Sequence, residues 1–365
     1  MSAKKELKEL KTALTLASKI IGKSSLPILS CVKLSDGRIE ATNLEQWLSV
    51  QVPFAINRPI CIDVRALKKI IATLKDAPTF SVNEKDTLII NGAISLPGLS
   101  LDEWPMRGEQ GEEIAAFSLP DKWGDVSRAM SLDETRFNIR CLALQFGEEK
   151  IAATDGHRLH IAPFAHTSEC KETFLVPYSV AIFVNHFPDV QGIIYNLQRH
   201  ETTHGRAVSF TSGTMTLHSM LVDGEFPDYS HVIPATSPHA ITVNRAACMQ
   251  AVQSCQAMTT ERTRGIILYR YGAELTVKTD NYEENGNVRH VLPCSVGEEV
   301  YCGINVNFLL DAVESCRGEE VTVNMRDELS PLAIKDNGFL SVIMPCRVSE
   351  NPIENRQALE AKLAA

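Results

Sequence analysis

No stretch of the 365 residues holds the roughly 18 consecutive apolar residues that a bilayer-crossing helix needs, so no membrane span is expected. The opening Met1-Ser2-Ala3-Lys4-Lys5-Glu6 leads into an amphipathic pattern and lacks the apolar core of a signal peptide. A cytosolic protein is expected. Ten cysteines are scattered singly, with no Cys-x-x-Cys pair, which points to small buried thiols in a reducing compartment. No glycine-rich dinucleotide loop and no Ser-His-Asp arrangement occurs. Gly22-Lys23-Ser24 resembles the end of a phosphate-binding loop, but Ala17 stands where that loop requires glycine. Positive charge is also short, with 36 Lys and Arg against 45 Asp and Glu, for a net charge of −9. That balance argues against indiscriminate nucleic-acid binding, although a partner feels the field of one face rather than the sum.

The string that most invites a catalytic reading is His200-Glu201-Thr202-Thr203-His204, the H-E-x-x-H pattern of zinc hydrolases. It binds metal only when a helix brings both histidines to one face, with the glutamate as base. Here two β-branched threonines separate them, Gly205 follows, and strand-like runs flank both sides, so a hairpin loop is expected. His157-Arg158-Leu159-His160 fails as a chelate on a strand, because positions three apart point to opposite faces. No residue set offers a credible active site. No catalytic residue, metal or cofactor is expected.

What the chain does have is repetition. Ile39-Glu40-Ala41-Thr42-Asn43 recurs as Ile151-Ala152-Ala153-Thr154-Asp155 and, more loosely, as Leu275-Thr276-Val277-Lys278-Thr279-Asp280. The threonines lie 112 and 125 positions apart, a period of whole domains rather than of solenoid units. Each third divides into two halves, each a helix with adjoining strands. Leu7, Leu10, Leu14, Ala17 and Ile21 mark the first helix, and Pro27 to Leu34 alternates like a strand. Further helices are predicted over Arg65 to Leu74, around Trp123, Val126 and Met130, from Arg245 to about Met258, and over Phe308 to Ser315. Boundaries fall near 115 and 236, giving domains 1–115, 116–236 and 237–348 with a tail at 349–365. The class is α+β with antiparallel sheet. Lys4, Lys8, Lys11 and Lys19 share one helix face, and Arg65, Lys68, Lys69 and Lys75 mark its partner. Basic helices recurring at equivalent places would form a phosphate-facing surface.

Three strings identify a family: Thr154-Asp155-Gly156-His157-Arg158-Leu159; Leu221 to Tyr229 with Val232-Ile233-Pro234; and Val342-Ile343-Met344-Pro345-Cys346-Arg347-Val348. Over residues 1–348 the chain resembles the bacterial DNA sliding clamp, the beta subunit of DNA polymerase III, with support from Ser25 to Leu29 and Gly303 to Val306. The resemblance implies three tandem copies of a clamp domain and a ring closed as a head-to-tail homodimer. The ring would encircle double-stranded DNA without reading sequence, have no reaction of its own, and act at the nucleoid as a processivity factor. It also implies a pocket for short peptides of polymerases and clamp-loader subunits. By position the pocket would comprise Ile139, Thr154, Gly156, His157, Arg158, Leu159, Pro227, Val232, Asn305, Phe308, Met344, Pro345, Cys346 and Arg347. DNA contacts would fall to Lys23, Arg65, Lys68, Arg136 and Arg264, and the subunit interface to Ile94, Ala257 and Met258. A specialised accessory clamp with altered partners is the variant reading, prompted by Glu225 and His231, where relatives often carry basic residues. Members usually stop just after the arginine of the Met-Pro motif, whereas here Ser349 to Ala365 follow. Glu354 to Ala364 is rich in helix formers, and the tail is expected to emerge beside the pocket, partly covering it or adding a contact.

Overall fold

The computed structural model describes residues 3–22, 24–199, 203–234, 240–260, 264–281, 286–348 and 351–364. The chain forms two compact units. The first comprises residues 1–119, 166–170 and 186–221; the second comprises 120–165, 171–185 and 222–365.

In the first unit, α1 (Ala3–Ile20) and α2 (Val64–Thr73) pack side by side. The apolar spacing of the sequence buries Leu7, Leu10, Leu14 and Ala17 on the inner face of α1. Asp63 caps α2, its carboxylate accepting from the Ala66 N–H at 2.8 Å. Lys11 donates from Nζ to the carbonyl of Leu74 at 3.2 Å, filling an acceptor that the end of α2 leaves open. Pro27–Ser30 form a 3-10 turn, not the start of a strand, because proline at the first position suits a helical turn and has no N–H for a ladder.

An eight-stranded antiparallel sheet uses β1 (Cys31–Ser35), β2 (Arg38–Thr42), β3 (Gln46–Gln51), β4 (Ile60–Asp63), β8 (Glu109–Ser118), β13 (Gln191–Arg199), β14 (Thr203–Ser212) and β15 (Met215–Met220). Its order is β4-β1-β2-β3-β15-β14-β13-β8. The strand Glu109–Ser118 runs unbroken through position 115. A smaller sheet has the order β5-β6-β7, from β5 (Phe80–Val82), β6 (Thr87–Ile90) and β7 (Ile94–Pro97).

The second unit repeats the plan. Its eight-stranded sheet draws on β9 (Cys141–Gln145), β10 (Lys150–Thr154), β11 (Arg158–Pro163), β12 (Thr173–Pro177), β16 (Ala240–Asn244), β21 (Glu320–Asn324), β22 (Leu332–Asp336) and β23 (Phe339–Ile343). The order is β12-β9-β10-β11-β23-β22-β21-β16. A four-stranded sheet, β19-β18-β17-β20, comes from β17 (Gly265–Tyr271), β18 (Glu274–Asn281), β19 (Gly286–Pro293) and β20 (Val300–Asn305). The helices are α3 (Trp123–Ser127), α4 (Tyr178–Val184), α5 (Arg245–Met258) and α6 (Val306–Ser315). Asn244 and Asn305 cap the last two through their side chains. Cys248, Val252, Cys255, Leu309 and Val313 from α5 and α6 meet Ile266, Leu268 and Val277 of the sheet in one core.

The tail forms α7 (Pro352–Ala364), a helix as its composition predicts. It packs against β17 and β20. Arg356 stacks 4.2 Å over the Tyr271 ring and pairs with Glu274 at 2.9 Å, while the Tyr271 hydroxyl donates to Glu360 at 2.8 Å. Of the hydrolase string, His204 lies on β14 rather than on a helix, and His200 and Glu201 lie outside the described residues. No cluster of metal-ligating side chains occurs among the described residues.

Candidate functional site

The repeated Thr-Asn/Asp phrase is a turn lock. The Thr154 hydroxyl donates to the Arg158 carbonyl at 2.6 Å and accepts from the Gly156 N–H at 3.1 Å. Asp155 accepts from the His157 and Arg158 N–H groups at 2.9 and 3.0 Å. In the first unit Thr42 donates to the Gln46 carbonyl and accepts from the Leu44 N–H, and Asn43 accepts from Glu45 and Gln46. Two short polar side chains thus close the loop before each seam strand.

In the second unit this turn shapes the rim of a groove. Where β11 meets β23, Leu159 pairs with Val342, and the Met344 N–H donates to the His157 carbonyl at 2.8 Å. A cavity of about 210 Å³ opens over that seam. Leu159, Val342, Tyr229 and Ile233 belong to one apolar cluster at its base. Val232 and Met344 form exposed apolar lips, 38% and 39% accessible, which gives the groove an adaptable thioether edge. Burial, assisted by Glu148, pushes the Tyr229 hydroxyl up to about 12, so it stays protonated and donates to the side chain of Gln145.

Of the residues expected in the pocket, the structure gathers Ile139, Thr154, Gly156, His157, Arg158, Leu159, Pro227, Val232 and Met344 around this cavity. Asn305, Phe308, Pro345, Cys346 and Arg347 do not line it. Asn305 caps α6, and Cys346 donates its N–H to the Gly303 carbonyl at 2.8 Å. Phe308 lies beneath the Arg158 guanidinium at 4.5 Å. Arg158 is held from every side: Nε on Asp155 at 3.1 Å, Nη1 on Asp311, and Nη2 on the Arg128 carbonyl. Its side chain is 10% accessible, so it is a strut of the groove wall as well as a lining group.

Sequence reasoning missed Asp228, Tyr229 and Val342, although all three stand inside the strings that carried the resemblance. It also assigned Arg136 to phosphate contact. The structure places Arg136 in the groove, where Nη1 donates to the Asp155 carbonyl at 2.9 Å. Gly156 matters here twice: its φ is +89°, and a Cβ at this position would lie 2.9 Å from the Arg136 guanidinium.

The other basic residues are dispersed. Arg65 is exposed in the first turn of α2, Arg264 is exposed just before β17, and Lys23 lies outside the described residues. Lys68 donates to the Ser18 hydroxyl at 2.7 Å and so ties α2 to α1. The basic face does not recur as expected: α3, α4 and α6 carry no Lys or Arg, and α5 only Arg245, which donates to the Val313 carbonyl at 3.1 Å. Ile94 lies on the outer strand β7, and Ala257 is exposed near the end of α5. The Met258 methyl fills the space that a Cβ on Gly286 of β19 would take.

Two family models match the chain, the DNA polymerase III beta subunit central domain over residues 118–228 and its C-terminal domain over residues 230–347. The beta sliding clamp of Caulobacter vibrioides is 28% identical over 360 residues, covering 89% of this chain and 94% of the relative. That of Rickettsia felis is 24% identical, covering 94% and 98%. Among solved structures, the DNA polymerase sliding clamp from Bacillus subtilis superposes with a TM-score of 0.81 at 21% identity, covering 94% of this chain and 98% of that one. The clamp from Pseudomonas aeruginosa gives 0.79 at 24% identity with the same coverage. With both family models on adjoining segments and relatives matched along nearly their whole length, this chain belongs to the beta sliding clamp family, the beta subunits of DNA polymerase III.

Proposed function

We propose that two copies of this chain join head to tail into a ring that encircles duplex DNA and tethers a polymerase, without catalysing a reaction. In this reading each copy contributes three domains, 1–115, 116–236 and 237–348, and acts in the cytoplasm. Among the described residues no helix is long and apolar enough to cross a membrane.

The observation that carries the reading is the number of strands at the seams. Each eight-stranded sheet joins two four-stranded halves, through β3 and β15 in one unit and β11 and β23 in the other. In its own sheet β19 holds the place of β3 and β11, and β7 holds the place of β15 and β23. Among the described residues both stand at the ends of smaller sheets, of four and three strands. Pairing β19 with β7 of a second copy completes the pattern, and doing so twice closes a dimer. Of the expected interface residues Ile94, Ala257 and Met258, Ile94 lies on β7, and Met258, on α5 beside Ala257, packs its methyl against Gly286 of β19.

The exposed Lys4, Lys8 and Lys19 of α1 and Arg65 and Lys69 of α2 supply a sequence-independent attraction for phosphate. Arg136 lines the groove and remains exposed. The groove over the β11–β23 seam takes short peptides of polymerase and clamp-loader subunits, with Met344 and Val232 meeting apolar side chains and the turn at His157 offering polar contacts.

The test is retention on DNA. Protein loaded by its cognate ATPase onto nicked circular plasmid should stay bound through gel filtration in high salt and leave when the plasmid is cut once. Retention that falls with salt but ignores linearisation would overturn encirclement.

A further inference from the structure

The seam between β3 and β15, in the first unit, carries a cavity of its own, about 400 Å³ in volume. It corresponds to the groove just described. Trp47 pairs with His218 across this seam as Leu159 pairs with Val342 across the other, and the same Thr-Asx lock precedes both strands. The segment Trp104–Arg107 lines this cavity as Pro227, Asp228, Tyr229 and Val232 line its counterpart.

The chemistry of the two differs. In the groove of the second unit both arginines are engaged by protein acceptors. Here the wall holds Lys33, Arg38 and Arg107 against one carboxylate, Glu40, which pairs with Lys33 at 2.8 Å. The Arg107 guanidinium hydrogen-bonds the Tyr195 hydroxyl, while its Nη1 is buried with no hydrogen-bond partner among the described residues. His218 adds no charge near neutral pH, since burial, with Arg107 nearby, pushes it down to about 4; its Nδ1 lies 3.0 Å from the Tyr195 hydroxyl. Trp47 and Trp104 give the cavity aromatic walls, and Met106 stands 92% exposed at its mouth. Three cations against one carboxylate, beside aromatic walls, fit a carboxylate next to an apolar side chain.

We propose that this cavity is a second docking groove, one that takes an acidic peptide of a partner protein, with a carboxylate on Arg107 and an adjacent apolar side chain between Trp47 and Trp104. The peptide class rests by analogy on the reading of the first groove; the preference for acid rests on this cavity alone.

Intrinsic fluorescence reads it directly. Of the three tryptophans, Trp123 is fully buried in the second unit, while Trp47 and Trp104 line this cavity. The full chain is titrated with the acetylated, amidated peptide Asp-Leu-Asp-Phe-Asp and with its Asn-Leu-Asn-Phe-Asn counterpart. A saturable emission change is expected for the acidic peptide and binding about tenfold weaker or worse for the neutral one. Arg107→Gln should weaken the acidic peptide similarly, and so should Met106→Asp, an exposed substitution that leaves the core intact and decides the matter if the first variant does not fold. Met344→Asp, in the other groove, should leave the signal unchanged. No emission change at millimolar peptide, equal response to both peptides, full response in Met106→Asp, or loss in Met344→Asp would each overturn the proposal. Retention on circular DNA, measured separately, reports on the ring and is not expected to follow either result.

Discussion

Leu44 stands where the second copy of the same turn has Gly156, and it carries the same left-handed backbone, φ +78° against +89°. A side chain with a Cβ in that region costs about 1–2 kcal/mol, whereas glycine gives back roughly 0.5–1 kcal/mol through the freedom of the unfolded chain. Leu44→Gly should therefore stabilise the first unit by about 0.5–1 kcal/mol, seen as a higher midpoint in calorimetry; a lower midpoint would show that the half-exposed leucine is held by packing. His160 makes a prediction of the opposite kind. Burial pushes its imidazole down to about 4, and although Nδ1 meets the Asp125 carbonyl at 2.8 Å, Nε2 has no partner among the described residues to accept a second proton's bond. The unfolded chain binds that proton at the ordinary value of 6.5, so stability is full above that pH and declines as pH falls toward 4. Its slope is at most about 1.4 kcal/mol per pH unit for this one group. Replacing His160 with Gln should flatten the acid limb of urea midpoints by one proton's worth, whatever it does to stability at neutral pH. The repeated phrase at Thr42 and Thr154 was legible, and the hydrogen bonds it makes reach no further than four residues. Arg136 was not, because nothing local announces that it reaches the Asp155 carbonyl 19 positions on.

Elements were legible in proportion to how local their causes are. The reading of α5 matches its bounds, and α1, α2 and α6 differ by a few residues at the ends, since apolar spacing and the caps at Asp63, Asn244 and Asn305 are written in adjoining residues. Pro27 misled because its alternation mimics a strand while its missing N–H favours a 3-10 turn. The tail shows the limit most plainly. Its helicity follows from composition, but its docking depends on Tyr271, which is 89 positions from Glu360. From that docking follows a result opposite to the covering role expected of the tail. Deleting 349–365 should leave peptide affinity at the β11–β23 groove within about twofold, a change near 0.4 kcal/mol. It should also lower the thermal midpoint of the second unit, because buried Ile353 and the Arg356–Tyr271 stack are removed. Fluorescence anisotropy of a labelled peptide checks the first part and calorimetry the second; a severalfold gain in affinity would restore the covering role.

For the whole molecule, charge and sheet pairing act on different steps. The seams of β7 and β19 would close the ring through backbone pairing and apolar side chains, which salt barely weakens, while attraction to DNA rests on exposed cations, which salt screens. Among the helices those cations concentrate on α1 and α2, against a net charge of −9 for the chain. The two steps are therefore separable by mutation. Lys8→Glu with Lys19→Glu changes exposed residues whose helix stays anchored by Leu7, Leu10, Leu14 and Ala17 on the buried side. The double variant should remain a dimer in sedimentation velocity and keep its peptide affinity. Its unloaded binding to linear duplex should weaken, and the slope of log K against log salt should become shallower by about 0.9 for each phosphate no longer neutralised. Once loaded on a circle it should still be retained, because encirclement is topological and does not depend on those two charges. Loss of the dimer in this variant would mean that α1 supports the subunit seam, and an unchanged salt slope would place the phosphate-facing surface elsewhere in the chain.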